Sequence, residues 1–263
     1  MTDPEAFYLP AGGDDFESTT ATTSPWDERM QHGGPPSGLL ARAIELTRPD
    51  ADMPIARLTV DFLGPIPQGR VRTEARIARP GRRVELVEAR LFAGDRLAVT
   101  ASAWRINTQK NISEEYAHSA TPPLLPGPQP QDFFTGLSPD WGYGRAIEWR
   151  FVQGSFNDPG PVSLWARVRL PLVAGEPPSP IQHLAVLADS TNGVSAVLPL
   201  NDWLFIPPTL TVTLARPPQG PWLHLAAHTT IAPSGTGIAQ ADLSDPSGFV
   251  AQIAQPLLVT PRS

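Results

Sequence analysis

Leu58–Thr59–Val60, followed by the turn Pro67–Gln68–Gly69, is written a second time as Leu210–Thr211–Val212 and Pro218–Gln219–Gly220. A repeat of this kind points to two copies of one structural unit. The residues after each copy also match. Arg70–Ala78, Val84–Ala93 and Leu97–Ile106 alternate apolar and polar residues in the first half, and Trp222–Ile231, Gly237–Leu243 and Phe249–Leu258 do so in the second. That period of two predicts strands. Turns at Pro80–Gly81, Gly94–Asp95, Ser234–Gly235 and Asp245–Pro246–Ser247–Gly248 fold each set into an antiparallel meander. Between the copies, Thr121 to Pro130 is rich in proline, which favours an extended chain unable to join a sheet ladder. The chain therefore divides into an N-terminal domain over 1–112, a linker over 113–132 and a C-terminal domain over 133–263.

Each meander is preceded by one apolar helix. In the first half it spans Pro35–Thr47, where Ser37, Gly38 and Ala41 are small enough to let a sheet approach closely. In the second it spans Ile181–Gly193, opened by Ser179–Pro180 and apolar nearly all round, so it should be buried. Its one charged residue is Asp189. At helical spacing Gln182, Val186, Asp189 and Gly193 share a face. A carboxylate in such surroundings must be paired, protonated or used. One long helix wrapped by an antiparallel sheet, made twice, is the plan of an α+β double hot-dog: two antiparallel sheets, each around its own helix.

Composition narrows the function. The 263 residues suffice for one large or two ordinary cores, and the absence of cysteine removes disulfides, thiolate metal sites and a Cys nucleophile. A net charge of −6 and no run of Lys or Arg argue against nucleic acid. Met1 to Asp15 is acidic and does not read as a signal peptide, and no apolar stretch reaches the roughly 20 residues needed to span a bilayer. A soluble cytoplasmic protein, with no membrane partner, is the expectation. Residues 1–110 hold fourteen basic and fifteen acidic side chains, against six and eleven in residues 111–263. Each carboxylate in the second part is thus the more conspicuous. A Gly-x-Ser-x-Gly elbow, a phosphate-cradling Gly-x-x-x-x-Gly-Lys and a dinucleotide fingerprint are all missing. His224 and His228 share a strand face but lack a third ligand, so neither metal nor cofactor is expected.

Gln31 to Ile44, with its His32–Gly33–Gly34 start, resembles the first hot-dog helix of the acyl-CoA thioesterase II-like family, and Phe62–Leu63–Gly64–Pro65 resembles the strand end that comes after it there. Leu187–Gly193, Leu210–Pro217 and Phe249–Gln255 are similar to that family's three catalytic segments. The resemblance covers nearly the whole chain. It implies hydrolysis of an acyl-CoA thioester, with the acyl chain in an apolar channel between sheet and helix, in a homo-oligomer.

Hydrolysing a thioester needs a water aimed at the carbonyl carbon, a group to take its proton and donors for the developing oxyanion. Asp189, with a pKa raised by burial, suits the general base; the plain alternative is a cap on the neighbouring turn, against Thr191 or Asn192. Gln252 and Gln255 lie three apart on a strand and so face opposite ways. The resemblance selects Gln255 to hold the water. It also implies a Thr or Ser ahead of the strand Leu210–Leu214, at a place that falls near Pro207; Thr209 is the hydroxyl taken for that part. His32, Gly33 and Gly34 open a helix whose free N–H groups can face a substrate carbonyl, provided the two modules pack side by side. His183 is read as a core residue. Arg70, Arg72, Arg76, Arg82 and Arg83 fit either the phosphates of coenzyme A or a solvated strand face. Two other functions stay open: a hot-dog dehydratase or hydratase using His32 with Asp189, and a non-catalytic acyl-CoA or lipid-binding module.

Overall fold

The computed structural model describes residues 4–49, 52–109, 112–114, 116 and 121–262. Residues 1–3 of the acidic start, and residues 115 and 117–120 of the expected linker, lie outside them.

The first half runs β1 (Tyr8–Pro10), β2 (Asp15–Ser18), α1 (Gly34–Leu46), β3 (Ile55–Phe62), β4 (Arg70–Arg79), β5 (Val84–Ala93) and β6 (Arg96–Ile106). The second runs α2 (Gly142–Arg145), β7 (Ile147–Gln153), β8 (Val162–Val168), α3 (Pro180–Ala188), α4 (Thr191–Val194), β9 (Trp203–Ile206), β10 (Thr209–Leu214), β11 (Leu223–Ile231), β12 (Thr236–Asp245) and β13 (Gly248–Pro261). All six meander strands appear within a few residues of their expected bounds, because each buries every second side chain. Five short strands, β1, β2, β7, β8 and β9, carried no such signal.

The expected pair of sheets is one sheet. Its order is β1-β2-β4-β5-β6-β3-β10-β13-β12-β11-β8-β7, with β9 added on β13, so six strands of each half repeat the same order about the β3–β10 seam. The repeated sequences meet there. Thr59 stands opposite Thr211 in an antiparallel register, and their hydroxyl oxygens are 3.3 Å apart. Leu58, Val60, Leu210 and Val212 are fully buried on the inner side. In a separate module β3 and β10 would each be an edge with unpaired backbone groups; pairing removes both edges.

Inside the sheet the two helices lie against each other. Gly34 and Gly38 make this possible: a Cβ on Gly34 would stand 2.3 Å from the Val186 carbonyl oxygen, and one on Gly38 3.0 Å from Val186 Cγ2. The small residues of α1 thus admit a second helix rather than a sheet. The expected helix over Ile181–Gly193 is also two pieces. α3 stops at Ala188, the Ser190 N–H bonds back only three residues to Leu187 O at 2.9 Å, and Thr191 Oγ1 donates to Ala188 O at 2.8 Å. Such local bonds tighten and end a helix.

Both ends of the sheet are covered. The Phe7 and Tyr8 N–H groups donate to Pro171 O and Leu172 O, and the Ala174 N–H donates to Tyr8 O, which ties β1 to the chain leaving β8. Along β7 runs the Pro-rich segment, whose glutamines replace a strand. The Gln129 amide both donates to Phe151 O at 2.9 Å and accepts from Phe151 N at 2.7 Å; Gln131 does the same with Trp149, at 3.0 and 2.9 Å.

Candidate active site

Asp189 comes directly after the last residue of α3, with φ −70° and ψ −12°, and its side chain is 7% exposed. The end of a helix, and not its middle, presents it. Burial pushes its pKa up to about 7, against the opposing pull of the Gln255 amide and of the Gly33 and Gly34 N–H groups, which hydrogen-bond the charged form.

Gln255 comes from β13. Ile253, Gln255 and Leu257 are buried while Gln252 and Pro256 are exposed, so strand alternation alone directs Gln255 inward. Gln252 reaches outward to Asp242. Gln255 Nε2 donates to Asp189 Oδ1 at 3.0 Å, and its Oε1 accepts the Asn192 N–H at 3.2 Å. This orients the amide: its nitrogen must face the acid.

The start of α1 supplies the other side. His32 Nδ1 lies 3.1 Å from Asp189 Oδ2 and accepts the Gly34 N–H at 3.1 Å. Burial lowers the His32 pKa to about 3, which keeps the ring neutral, and the Gly34 N–H donated to Nδ1 puts the ring proton on Nε2. The proton of a neutral Asp189 can then be donated from Oδ2 to Nδ1. A Cβ on Gly33 would sit 2.7 Å from Asp189 Oδ2 and 2.8 Å from the Phe62 ring, so only glycine lets the backbone come this close. The Gly33 and Gly34 N–H groups, expected on a substrate carbonyl, lie beside the acid, and that of Gly34 is donated to His32 Nδ1.

Thr209 is not part of this group. It sits on β10 with Thr211 and Thr213, alternating with the buried Leu210, Val212 and Leu214, and its Oγ1 donates to Val60 O at 2.9 Å. Its side chain therefore points to the face away from Gln255, and the strand alternation excludes it from the expected catalytic role. The pseudo-symmetry also leaves one amide per chain. Thr59 faces Ser102 on β6 as Thr211 faces Ala254 on β13, so the mate of Gln255 is Ala103. Of the arginines, Arg70, Arg72 and Arg76 pair with Asp15, Glu74 and Glu88 on an exposed strand face. Burial lowers the pKa of His183, in keeping with a core histidine.

Tyr143 was not singled out in the sequence. Its ring is fully buried and stacks on His32, with centroids 3.8 Å apart and planes 9° from parallel. Its hydroxyl donates to Val186 O at 2.8 Å and lies 2.7 Å from Ser190 Oγ, the residue after the acid. One side chain thus fixes both the imidazole and the turn that carries Asp189. Trp141–Gly142–Tyr143–Gly144 gives no periodic signal; a dense aromatic and glycine cluster is the only hint. Replacing Tyr143 with Leu is expected to lower kcat about 100-fold, the cost of roughly 1 Å of misplacement. Tyr143→Phe keeps the stack and should lose mainly stability, about 1–3 kcal/mol, from the stranded Ser190 hydroxyl. Steady-state kinetics and denaturant unfolding of the pair separate the two effects.

A single sheet rolled about two packed helices, with a desolvated acid–amide pair at the end of the second helix, defines a tandem hot-dog protein. The family model described as the acyl-CoA thioesterase C-terminal domain matches residues 119–259, and that described as the N-terminal domain matches residues 22–106. The chain belongs to the acyl-CoA thioesterase family and is a thioester hydrolase. The resemblance carried by the His-Gly-Gly helix start and the Asp189, Leu210 and Gln255 segments is thus borne out. The fold is shared with solved structures at low identity. A hot-dog protein of unknown function from Alicyclobacillus acidocaldarius has a TM-score of 0.73 at 20% identity, over 98% of this chain and 97% of its own. A protein from Thermobifida fusca YX has a TM-score of 0.74 at 20% identity, over 97% and 96%. The acyl-CoA thioesterase II TesB2 of Mycobacterium marinum gives 0.65 at 18%, over 95% and 93%. No curated protein matches the sequence. No helix among the described residues is long and apolar enough to cross a membrane.

Proposed function

We propose that this protein hydrolyses the thioester of an acyl-CoA with Asp189 as general base and Gln255 as the amide that orients it. One observation carries this reading: a buried carboxylate, with its pKa near 7, held at once by the Gln255 amide, 3.0 Å away, and by the His32–Gly33–Gly34 corner. A base of that pKa is half charged at neutral pH and has driving force to take a proton from water. In the forward step a water attacks the thioester carbon, Asp189 takes its proton, and the carbonyl oxygen becomes an oxyanion. That oxygen is stabilised by the positive end of α1, where the Gly33 and Gly34 N–H groups lie beside the acid. Collapse of the intermediate expels the coenzyme A thiolate, and Asp189 returns the proton to it. The two modules, 1–112 and 133–263, thereby serve one centre.

A hydratase would need a histidine free to work on the substrate. With His32 Nδ1 taken up by the Gly34 N–H and Asp189, the proton of the neutral ring sits on Nε2 and no basic nitrogen is left for a substrate proton, which favours hydrolysis.

Release of free thiol from acetyl- to palmitoyl-CoA tests the reading. Gln255→Leu should lower kcat about 100-fold and move the pH midpoint of kcat above 7, since the lost amide stabilises the charged form of Asp189. A midpoint that stays put in Gln255→Leu sinks the assignment of Gln255.

A further inference from the structure

The chain just before the His32–Gly33–Gly34 corner carries the bonds that fasten it. Gln31 is buried, and its amide is used at both ends: Oε1 accepts the Tyr8 hydroxyl at 2.7 Å, and Nε2 donates to Pro67 O at 2.7 Å. The backbone is tied at the same place. The Gln31 N–H donates to Ile66 O and the His32 N–H to Thr22 O, each at 2.7 Å.

Tyr8 carries this hold across to the other half of the chain. Its ring is fully buried and meets Phe16 edge-on, with centroids 6.4 Å apart; burial raises its pKa, so the hydroxyl stays a donor at neutral pH. The Tyr8 N–H donates to Leu172 O at 3.0 Å, and Tyr8 O accepts the Ala174 N–H at 2.9 Å. That segment runs into α3, and Asp189 follows directly on the last residue of α3. One path of hydrogen bonds thus joins the stretch that leads into α3 to the residue that precedes His32.

We propose that Gln31 is a positioning residue for thioester hydrolysis: by bridging Tyr8 and Pro67, its amide holds the His32–Gly33–Gly34 corner in place beside Asp189. A glutamine that merely satisfied the phenol and the Pro67 carbonyl would affect stability and nothing else. The two roles can be told apart because Asp189 reports where the corner lies. The titratable groups facing it among the described residues are His32 and Tyr143, and burial keeps both neutral. The Gly33 and Gly34 N–H groups pull the Asp189 pKa down against the effect of burial. When the corner drifts, that pull weakens and the Asp189 pKa climbs, and stabilisation of the oxyanion falls in the same movement. The inference rests on the thioesterase reading, whereas titration of Asp189 follows the geometry without it.

The test compares full-length wild type, Gln31→Leu and Tyr8→Phe by thioester turnover over a pH series and by 13C NMR titration of the Asp189 carboxyl. Gln31→Leu removes both amide bonds at similar volume. It should lower kcat about tenfold with KM unchanged, and raise the Asp189 pKa and the pH midpoint of kcat together by about 0.5. Tyr8→Phe takes away only the donor and should move both in the same direction by less; as the gentler change it decides the matter if Gln31→Leu does not fold. Because the phenol acts through the amide, Tyr8→Phe should add nothing further in the Gln31→Leu background. A folded variant with a lowered thermal midpoint but an unmoved kcat and Asp189 pKa overturns the proposal, and so does a Tyr8→Phe effect that adds in full to that of Gln31→Leu. A shifted Asp189 pKa in a protein whose wild type shows no turnover would overturn the catalytic reading and leave the hold of Gln31 on the corner standing.

Discussion

Asp189→Asn should abolish most thioester hydrolysis, with kcat down about 1,000-fold, while making the protein more stable at pH 8. The first effect is the usual worth of a positioned base. The second comes from the raised pKa. The folded state holds the Asp189 proton up to about pH 7, whereas the unfolded chain releases it near 3.8. Between those values the folded state binds more protons, so stability falls as pH rises from about 4 to 7 and stays low above it. Three pKa units correspond to a cost on the order of 4 kcal/mol. Asn is neutral and nearly the same shape, so the variant escapes this cost, and its thermal midpoint at pH 8 should rise by about 5–10 °C. Below pH 4 the difference should vanish, because the acid is then neutral in both states. For wild type, kcat should climb with pH to a midpoint near 7. Turnover by Asp189→Asn within tenfold of wild type would remove Asp189 from the mechanism.

Gly34→Ala is expected to cost about 3 kcal/mol of stability, at the upper end for overpacking. The added methyl would stand 2.3 Å from the Val186 carbonyl oxygen and 3.1 Å from the Tyr143 hydroxyl. The nearer obstacle is backbone, so no rotamer change relieves it; α1 has to retreat from α3. That retreat carries the Gly33 and Gly34 N–H groups and His32 away from Asp189, and kcat should fall at least 100-fold even where the variant is folded. Gly38→Ala meets side-chain atoms of Leu172 and Val186 at 3.0 Å, with the nearest backbone atom, Gln182 O, no closer than 3.4 Å, and should be milder. Urea unfolding of both variants, with activity assayed well below their midpoints, checks the contrast. Equal midpoints for Gly34→Ala and wild type would refute the close helix contact.

The meander strands were legible because burial of alternate side chains leaves a period of two in the text, and the duplication was legible because both seam strands kept Leu-Thr-Val. Asp189 and Gln255 could be picked out as polar residues in apolar runs. The union of the two sheets could not: it depends on pairing Thr59 with Thr211 across half the chain, and periodicity describes only neighbours. The end of α3 was hidden because Ser190 to Gly193 is compatible with a helix, and bonds from Ser190 and Thr191 to the preceding carbonyls decide otherwise. Thr209 could have been rejected in advance. Its alternation with Leu210, Val212 and Leu214 already assigns it to the outer face. β7 and β8 were missed because their pairing with each other and with β11, more than periodicity, makes them strands.

The glutamine pairs on Phe151 and Trp149 do more than finish a hydrogen-bond pattern. A rim of unpaired backbone is a template onto which another molecule can graft itself, and a sheet of this width has two such rims. Here one is spent on the tail of β8 and the other on two side chains set among prolines, which offer an incoming strand no donors of their own. Growth into fibrils by lateral addition is therefore blocked at both sides. A strand adding at either rim would first have to displace these bonds, which stands against running on without limit.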